Sequence, residues 1–372
     1  MLIVETITGE INFLALEQEW RVFSCLKASH SVFLSWEWAE SWWRVFLKGD
    51  GNCLRILLLR CTTTKQLVGI VPFYIEPQEG LLVQRTWRLL GDASQNGQGM
   101  TEEPIFLQLP GWGQQVLETL DHYFCANTNT FDHVKLGLQL PLDCILETSL
   151  GMPVPFTVQE IRVKHGSSQV QLPTTWDKYL KQISRSMRDN LTYYPRLIGR
   201  DGHTFRVELL EASGEQKEAC SILRDLHQSR AQSDETVVHV DHMPTETHAE
   251  FLIQAFMALA AQGKAFVAVL WIDEVLVAAQ GFFWSEGQLT FYYSGYDTAW
   301  KKYSPLLVLD RFVLETLFLR GMTTIDLLPG RFPWQERWGA TPQHHFYEIR
   351  YTRTTPHSVL SSLKYLITKR LL

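Results

Sequence analysis

The stretch Leu289–Ala340 restricts what this chain can fold into more than any other. Leu289–Tyr296 is dense in aromatic and β-branched side chains, as a buried strand is. Ser304-Pro305 then makes a helix start: Ser is a favoured cap, and Pro suits the first helical position because it has no N–H to leave unpaired. Leu306–Arg320 is apolar on almost every side, so its helix must be covered on most faces. Gly321 ends the helix, Thr323–Leu328 reads as a second strand, and Pro329-Gly330 ends that. The helix start offers free N–H groups and a positive dipole end, a setting that suits a phosphate, although most such starts bind nothing. The loop beyond the second strand concentrates Arg331, Trp334, Gln335, Glu336, Arg337 and Trp338, an unusual mix for a plain turn.

The rest of the chain reads as α+β. Phe13–Leu26 and Trp36–Leu47 have helical periodicity, and Trp38, Trp42 and Phe46 form an aromatic stripe in the second. A core stripe is the simple reading; Trp38 as one wall of an acceptor cleft is the functional one. Leu54–Cys61, Leu67–Ile75 and Leu81–Leu90 read as strands, followed by the Gly-rich loop Gly91–Thr101 with Asp92. That loop has neither a phosphate-loop Lys-Ser pair nor G-x-G-x-x-G, so it is a poor nucleotide site. Lys164–Thr174 has linker composition, which sets the expected domains at 1–165 and 166–372.

The second part opens on a helix whose Lys181, Arg185 and Arg188 share a face, with Arg196 and Arg200 beyond. A solvated face is one reading and an anion-binding wall the other. His239–His248 holds three His and one Asp, but the spacing fits no zinc pattern, and no metal is expected. Three strands, 265–272, 275–284 and 289–296, form a meander with tight turns. His344–Thr352 reads as a last strand, and Ser358–Leu371 as an amphipathic helix docked on the last domain.

Composition narrows the partners. A formal net charge of −6 gives no global attraction to DNA or to an anionic membrane. No apolar run is long enough to span a bilayer, and the N-terminus lacks the basic and apolar regions of a signal peptide. The six cysteines form no C-x-x-C pair, which suits reduced thiols in a cytoplasmic protein.

Taken together, Gly295-Tyr296-Asp297, Trp300, Tyr303-Ser304-Pro305, the apolar helix, Ile325-Asp326-Leu327 and Pro333-Trp334-Gln335-Glu336-Arg337-Trp338-Gly339-Ala340 resemble the CelD-like (BioF2-like) branch of the GNAT acyltransferase superfamily, related to the FemAB aminoacyl transferases. Phe33–Trp38, Val68–Phe73 and Leu226–Arg230 add to the likeness. The resemblance implies two GNAT-like domains in tandem, with mixed, mostly antiparallel sheets flanked by helices, the second binding an acyl-CoA. It implies transfer of an acyl group, acetyl first among them, to an amine such as an amino sugar of a surface polysaccharide, with peripheral association to that machinery.

In that scheme Ser304 and the N–H groups of Leu306 and Leu307, with Lys302 nearby, hold the donor pyrophosphate. Asp326 or Asp297 takes the amine's proton, and Tyr296 or Tyr303 assists the leaving thiolate. Trp38, Asp92, Arg188, Trp334, Gln335 and Arg337 contact the acceptor. Two positions depart from the family: Leu306 replaces a Gly, and Gln335 replaces a Lys. They keep open a catalytically impaired scaffold or binding protein; a tRNA-dependent aminoacyl transferase is the third reading.

Overall fold

The computed structural model describes residues 1–26, 31–76, 84–92, 99–142, 156–233, 239–330 and 332–353. The expected helix Ser358–Leu371, Arg331, Cys144, the middle of the Gly-rich loop and the start of the strand expected at Leu81 lie outside these residues.

Two sheets are present. The first contains β1 (Leu2–Ile7), β2 (Leu54–Cys61), β3 (Leu67–Ile75), β4 (Thr86–Leu89), β5 (Leu107–Gln108), β6 (His133–Pro141) and β7 (Phe156–His165). The second contains β8 (Ser167–Gln171), β9 (Phe205–Leu210), β10 (Ala265–Ile272), β11 (Val275–Ser285), β12 (Gln288–Tyr296), β13 (Thr324–Pro329) and β14 (Thr341–Pro342). The last strand, β15 (His344–Arg353), returns to the first sheet and lies between β6 and β7. Its position in the sequence alone places it with the second half. Both sheets are mostly antiparallel, with parallel pairs only at β4–β6 and β12–β13 among the described residues.

The helices are α1 (Glu10–Leu14), α2 (Glu17–Cys25), α3 (Trp36–Phe46), α4 (Gly113–Ala126), α5 (Trp176–Gln182), α6 (Arg185–Arg200), α7 (Gln216–Ala231), α8 (Glu246–Ala260), α9 (Pro305–Leu319) and α10 (Pro333–Arg337). The single helix expected over Phe13–Leu26 is broken at Ala15-Leu16 into α1 and α2. In the second half, α7 and α8 pack on one face of the sheet and α9 on the other. The apolar girth of α9 is thereby used: Val308, Leu309, Val313, Leu314 and Leu317 are all buried.

The expected linker is no linker. Ser167–Gln171 is a strand in which Ser167, Ser168 and Val170 are buried, and it pairs with both β13 and β14. The chain crosses between the sheets at Gly166, where any Cβ would lie 2.2 Å from the ring of His344. The returning strand crosses at the same place, and the Gly166 N–H donates to the His344 carbonyl at 3.0 Å.

A shared aromatic core joins the halves. Trp38 is 1% exposed and packs against Phe33, Phe251, Phe283 and Tyr292. Its indole N–H donates to Thr101 Oγ1 at 2.8 Å. Trp38 is therefore core, and it lines neither of the two cavities described below. Gly295 has an equally specific role: a Cβ there would stand 2.2 Å from the backbone N of His227, so only Gly lets β12 approach α7 this closely. Among the described cysteines all are free; Cys61 and Cys220 are buried, while Cys25 is exposed.

Two predictions follow from packing. Gly295→Ala forces α7 from β12 and should destabilise by at least ~1–3 kcal/mol, read as a lower denaturant midpoint. Asp310, on the buried face of α9, has a carboxylate oxygen without a hydrogen-bond partner, and burial pushes its carboxyl well above the ordinary value. The folded state therefore holds this proton more tightly than the unfolded chain. The resulting stability is present at acid pH and is lost as pH rises toward the raised value. Asp310→Asn should gain stability over the parent as pH rises from about 4 to 7; a difference that stays constant with pH would refute this.

Candidate active site

The site begins where β12 and β13 part. They pair in parallel over three positions, Gln288–Thr324, Leu289–Ile325 and Thr290–Asp326. Past that point β12 runs on to Tyr296 without β13. Two irregularities accompany the parting. Against β11, β12 carries an extra residue between Phe291 and Ser294, a bulge that sharpens local twist and leaves a residue out of the ladder. Against β8, β13 loses register between Asp326 and Pro329, with Leu328 in the left-handed region at φ +65°.

Asp326 sits at this break and is 6% exposed. Its Oδ1 accepts the Leu328 N–H at 2.8 Å, and its Oδ2 accepts the amides of Gln169 (3.0 Å) and Gln288 (3.3 Å). Burial raises its carboxyl above the ordinary value, and the charge of Glu103 adds to this against the lowering hydrogen bonds. Gln335 holds the other side of the turn: its Nε2 donates to the Leu327 and Leu328 carbonyls at 2.9 and 3.2 Å, and its Oε1 accepts the Phe332 N–H at 2.9 Å. Gln335 is 1% exposed. It latches α10 to the end of β13, and both halves of its amide are engaged within the protein.

Asp326 lines a cavity of about 250 Å³ between the two halves. Thr290, Gln288, Gln169 and Ser167 face it from the second half; Glu102, Glu103, Gln139 and His344 close it from the segment Gly99–Pro104, β6 and the head of β15. Glu103 Oε2 accepts Gln139 Nε2 and His344 Nε2, both at 2.7 Å. A second cavity of about 340 Å³ shares Glu102 and Glu103 and reaches Asp92, Lys164, His242, Tyr293 and Glu348. Sequence reading missed Glu102 and Glu103. The Gly-rich loop ends at Thr101, and the two carboxylates follow it directly.

The expected residues are dispersed and do not converge on one cavity. Of the four named for proton or thiolate chemistry, only Asp326 lines the cavity. Asp297 caps the short turn Thr298–Tyr303, accepting the Ala299 N–H at 3.0 Å. The Tyr296 ring lies under the Arg230 guanidinium at 4.7 Å, and the Tyr303 hydroxyl donates to Asp201 at 3.2 Å. Asp92 lines the second cavity, but its carboxylate already accepts Arg88 (3.3 Å) and Lys135 (2.9 Å). Arg188 donates to the Leu180 carbonyl at 3.2 Å; Trp334 and Arg337 are exposed on α10.

The start of α9 differs from expectation. Ser304 is left-handed at φ 45°, and its side chain makes no cap bond. Its carbonyl instead accepts the N–H groups of both Leu307 (3.0 Å) and Val308 (3.2 Å). Pro305 has no N–H, so Leu306 supplies the first-turn donor left for a phosphate. Lys302 is paired with Asp201. For an acyl-CoA, the parted strands and the helix start fit a donor arm and one phosphate contact, a thinner grip than the sequence implied.

His227 of the Leu226–Arg230 motif is structural. Its Nδ1 donates to the Ser294 carbonyl at 2.9 Å, and its Nε2 accepts the His242 N–H at 3.1 Å. These two partners require the neutral ring, and burial lowers its pKa. It thereby pins the bulged part of β12.

The first half has a corresponding parallel pair. β4 and β6 pair in parallel at Thr86–His133 and Trp87–Val134. Beyond them the segment Met100–Phe106 lies across β6 so closely that a Cβ on Gly137 would meet the Pro104 carbonyl oxygen at 1.9 Å.

The chain was compared with known proteins. A model described as acetyltransferase (GNAT) domain matches residues 185–336. None of the curated proteins matches. Among solved structures, FemX aligns with a TM-score of 0.60 at 10% identity over 93% of this chain and 96% of its own. A conserved protein of unknown function from Bacteroides thetaiotaomicron aligns with a TM-score of 0.55 at 9% identity, covering 95% of this chain and all of its own (100%). The C-terminal domain of a putative lysylphosphatidylglycerol synthetase from Agrobacterium fabrum gives 0.51 at 9% identity, over 96% and 97%. At these identities the likeness is one of fold. The parted parallel strands and the bulge in β12 lie within residues 185–336, the part of the chain that matches a GNAT acetyltransferase domain.

Proposed function

We propose that this protein is an N-acyltransferase that moves an acyl group, acetyl first among the candidates, from acyl-CoA to an amine. One observation carries the reading: Asp326, the buried carboxylate at the parting of β12 and β13, opens onto a cavity with an acidic wall. When bound, the donor supplies a thioester carbonyl, at which the amine nitrogen forms the amide C–N bond as the C–S bond breaks and the sulfur leaves as thiol with the amine's proton. Asp326 accepts that proton from the nitrogen as the C–N bond forms and passes it on to the departing sulfur. Burial strengthens it as a base, and the Leu328 N–H and Gln169 amide hold it in one orientation. Thr290 and Gln288 line the approach from β12. The Leu306 N–H and the dipole of α9 meet a donor phosphate. Amino sugars belong to the acceptor screen as one class of amine.

The engaged Leu307 N–H and Gln335 amide support a second reading, a GNAT-fold binding protein without catalysis. Donor binding separates the two. Calorimetric titration should give saturable acyl-CoA binding, and Leu306→Gly should tighten it by giving the pyrophosphate closer access to the backbone. No binding to either form would favour the second reading. Asp326→Asn should lower thiol release by about 10²–10⁴-fold while leaving the thermal midpoint close to the parent's. An unchanged rate would remove Asp326 from the role of base.

A further inference from the structure

We propose that His344, oriented by Glu103, is a second catalytic base: it takes the surplus proton of the incoming ammonium group, so that Asp326 stays free for the proton displaced when the C–N bond forms. The inference rests on the acyltransferase reading above.

His344 and Asp326 belong to different sheets and line the same cavity of about 250 Å³. The crossing brings them together. The Gly166 N–H donates to the His344 carbonyl at 3.0 Å, and the side chain of the next residue, Ser167, faces the Asp326 carboxylate. The His344 side chain is 17% exposed. Its Nε2 lies 2.7 Å from Glu103 Oε2, and Gln139 holds that same oxygen at 2.7 Å from its Nε2. A carboxylate oxygen accepts, so Nε2 carries the hydrogen and the neutral ring keeps its lone pair on Nδ1. Nδ1 has no hydrogen-bond partner among the described residues and is not sealed from solvent. The Nε2–Cδ2 edge is the one turned to Gly166, where a Cβ would lie 2.2 Å from both atoms, and Gly166 lines neither cavity. The ring therefore meets the cavity by its Nδ1 edge. An imidazole oriented by a carboxylate, with its other nitrogen bare, is the arrangement of a general base.

The charged groups that face this ring are Glu102 and Glu103, which precede β5, and Asp326 on β13. From β7, Lys164 lines the second cavity within 3.9 Å of Glu348, and His165 stands opposite His345 in the ladder. An alkylamine arrives from neutral water as its ammonium form, which has no lone pair for attack, and carboxylates on the cavity wall favour that form. Two protons must therefore leave the nitrogen. One carboxylate holds one proton at a time, and Asp326 is needed unprotonated when the C–N bond forms. His344 Nδ1 takes the first proton. An N–H bond of the ammonium breaks, its electron pair stays on nitrogen as the attacking lone pair, and the imidazolium so formed is met by Glu103. The imidazolium returns its proton to water. The second proton passes by Asp326 to sulfur, and the sum is amide, thiol and one proton released.

The test is acetyl transfer by the full chain from acetyl-CoA to amines of different basicity: butylamine, an ammonium at neutral pH; methoxyamine, which is neutral there; and glucosamine between them. With butylamine, His344→Gln should lower kcat/KM at pH 7 by about 10²-fold, and the deficit should shrink as pH rises toward the amine's own pKa. Glucosamine should show a smaller deficit, and methoxyamine a rate close to the parent's, because it reaches the site with its lone pair free. Asp326→Asn should slow all three at every pH. The parent alone gives a readout that needs no variant to fold: its kcat/KM profile for butylamine should carry an acid limb that methoxyamine lacks. A His344→Gln loss equal for the three amines and constant with pH would make His344 structural and overturn the inference, as would unchanged transfer to butylamine. Either result leaves the acyltransferase reading standing. No transfer to any of the three would sink that reading and the inference with it.

Discussion

The crossing at Gly166 and His344 is the constraint on which the rest depends. Here the chain passes from the first sheet into the second, and the last strand passes back. Residue 166 has no side chain, and a Cβ there would meet the His344 ring at 2.2 Å and the Glu103 carboxylate at 2.9 Å. The crossing carries Ser167 and His344 to one point, and His344 fastens Glu103 there. The acidic cavity is a product of this crossing: its two sides belong to different sheets, and neither sheet alone encloses it.

Around that point the two halves play unequal parts. Each has a pair of parallel strands that separate after a short contact. In the first, Pro104 packs on Gly137 of β6, and the neighbouring Glu102 and Glu103 line the shared cavity. In the second, β12 bulges and β13 turns away at Asp326, so the separation stays available. The first half contributes a wall to the cavity that holds Asp326.

The departures at Leu306 and Gln335 acquire different meanings in three dimensions. Gln335 satisfies three backbone groups at the Leu328 turn, the same turn whose N–H fixes the Asp326 carboxylate. A neutral amide, with a donor and an acceptor in one plane, can do this; an ammonium has no acceptor for the Phe332 N–H. Leu306 bears instead on the proposed donor side, where the first turn of α9 is tightened onto the Ser304 carbonyl.

Much was legible in the sequence. The strand–helix–strand order of 289–328, the buried character of α9 and the α+β class rest on local periodicity, caps and breakers, which act within a few residues. Asp326 could be singled out because a lone carboxylate in an apolar strand is conspicuous. Other features depended on contacts between residues far apart in the chain. Ser167–Gln171 looks like a linker until β13 and β14 bracket it, and β15 looks like part of the second half until its register with β6 and β7 is seen. Glu102 and Glu103 read as an ordinary acidic pair, since nothing local tells that Trp38, Tyr292, Gln139 and His344 will hold them against Asp326 across the interface. Local propensities decided the elements. Tertiary structure alone decided the site, because desolvation and charge proximity arise only where distant segments are packed together.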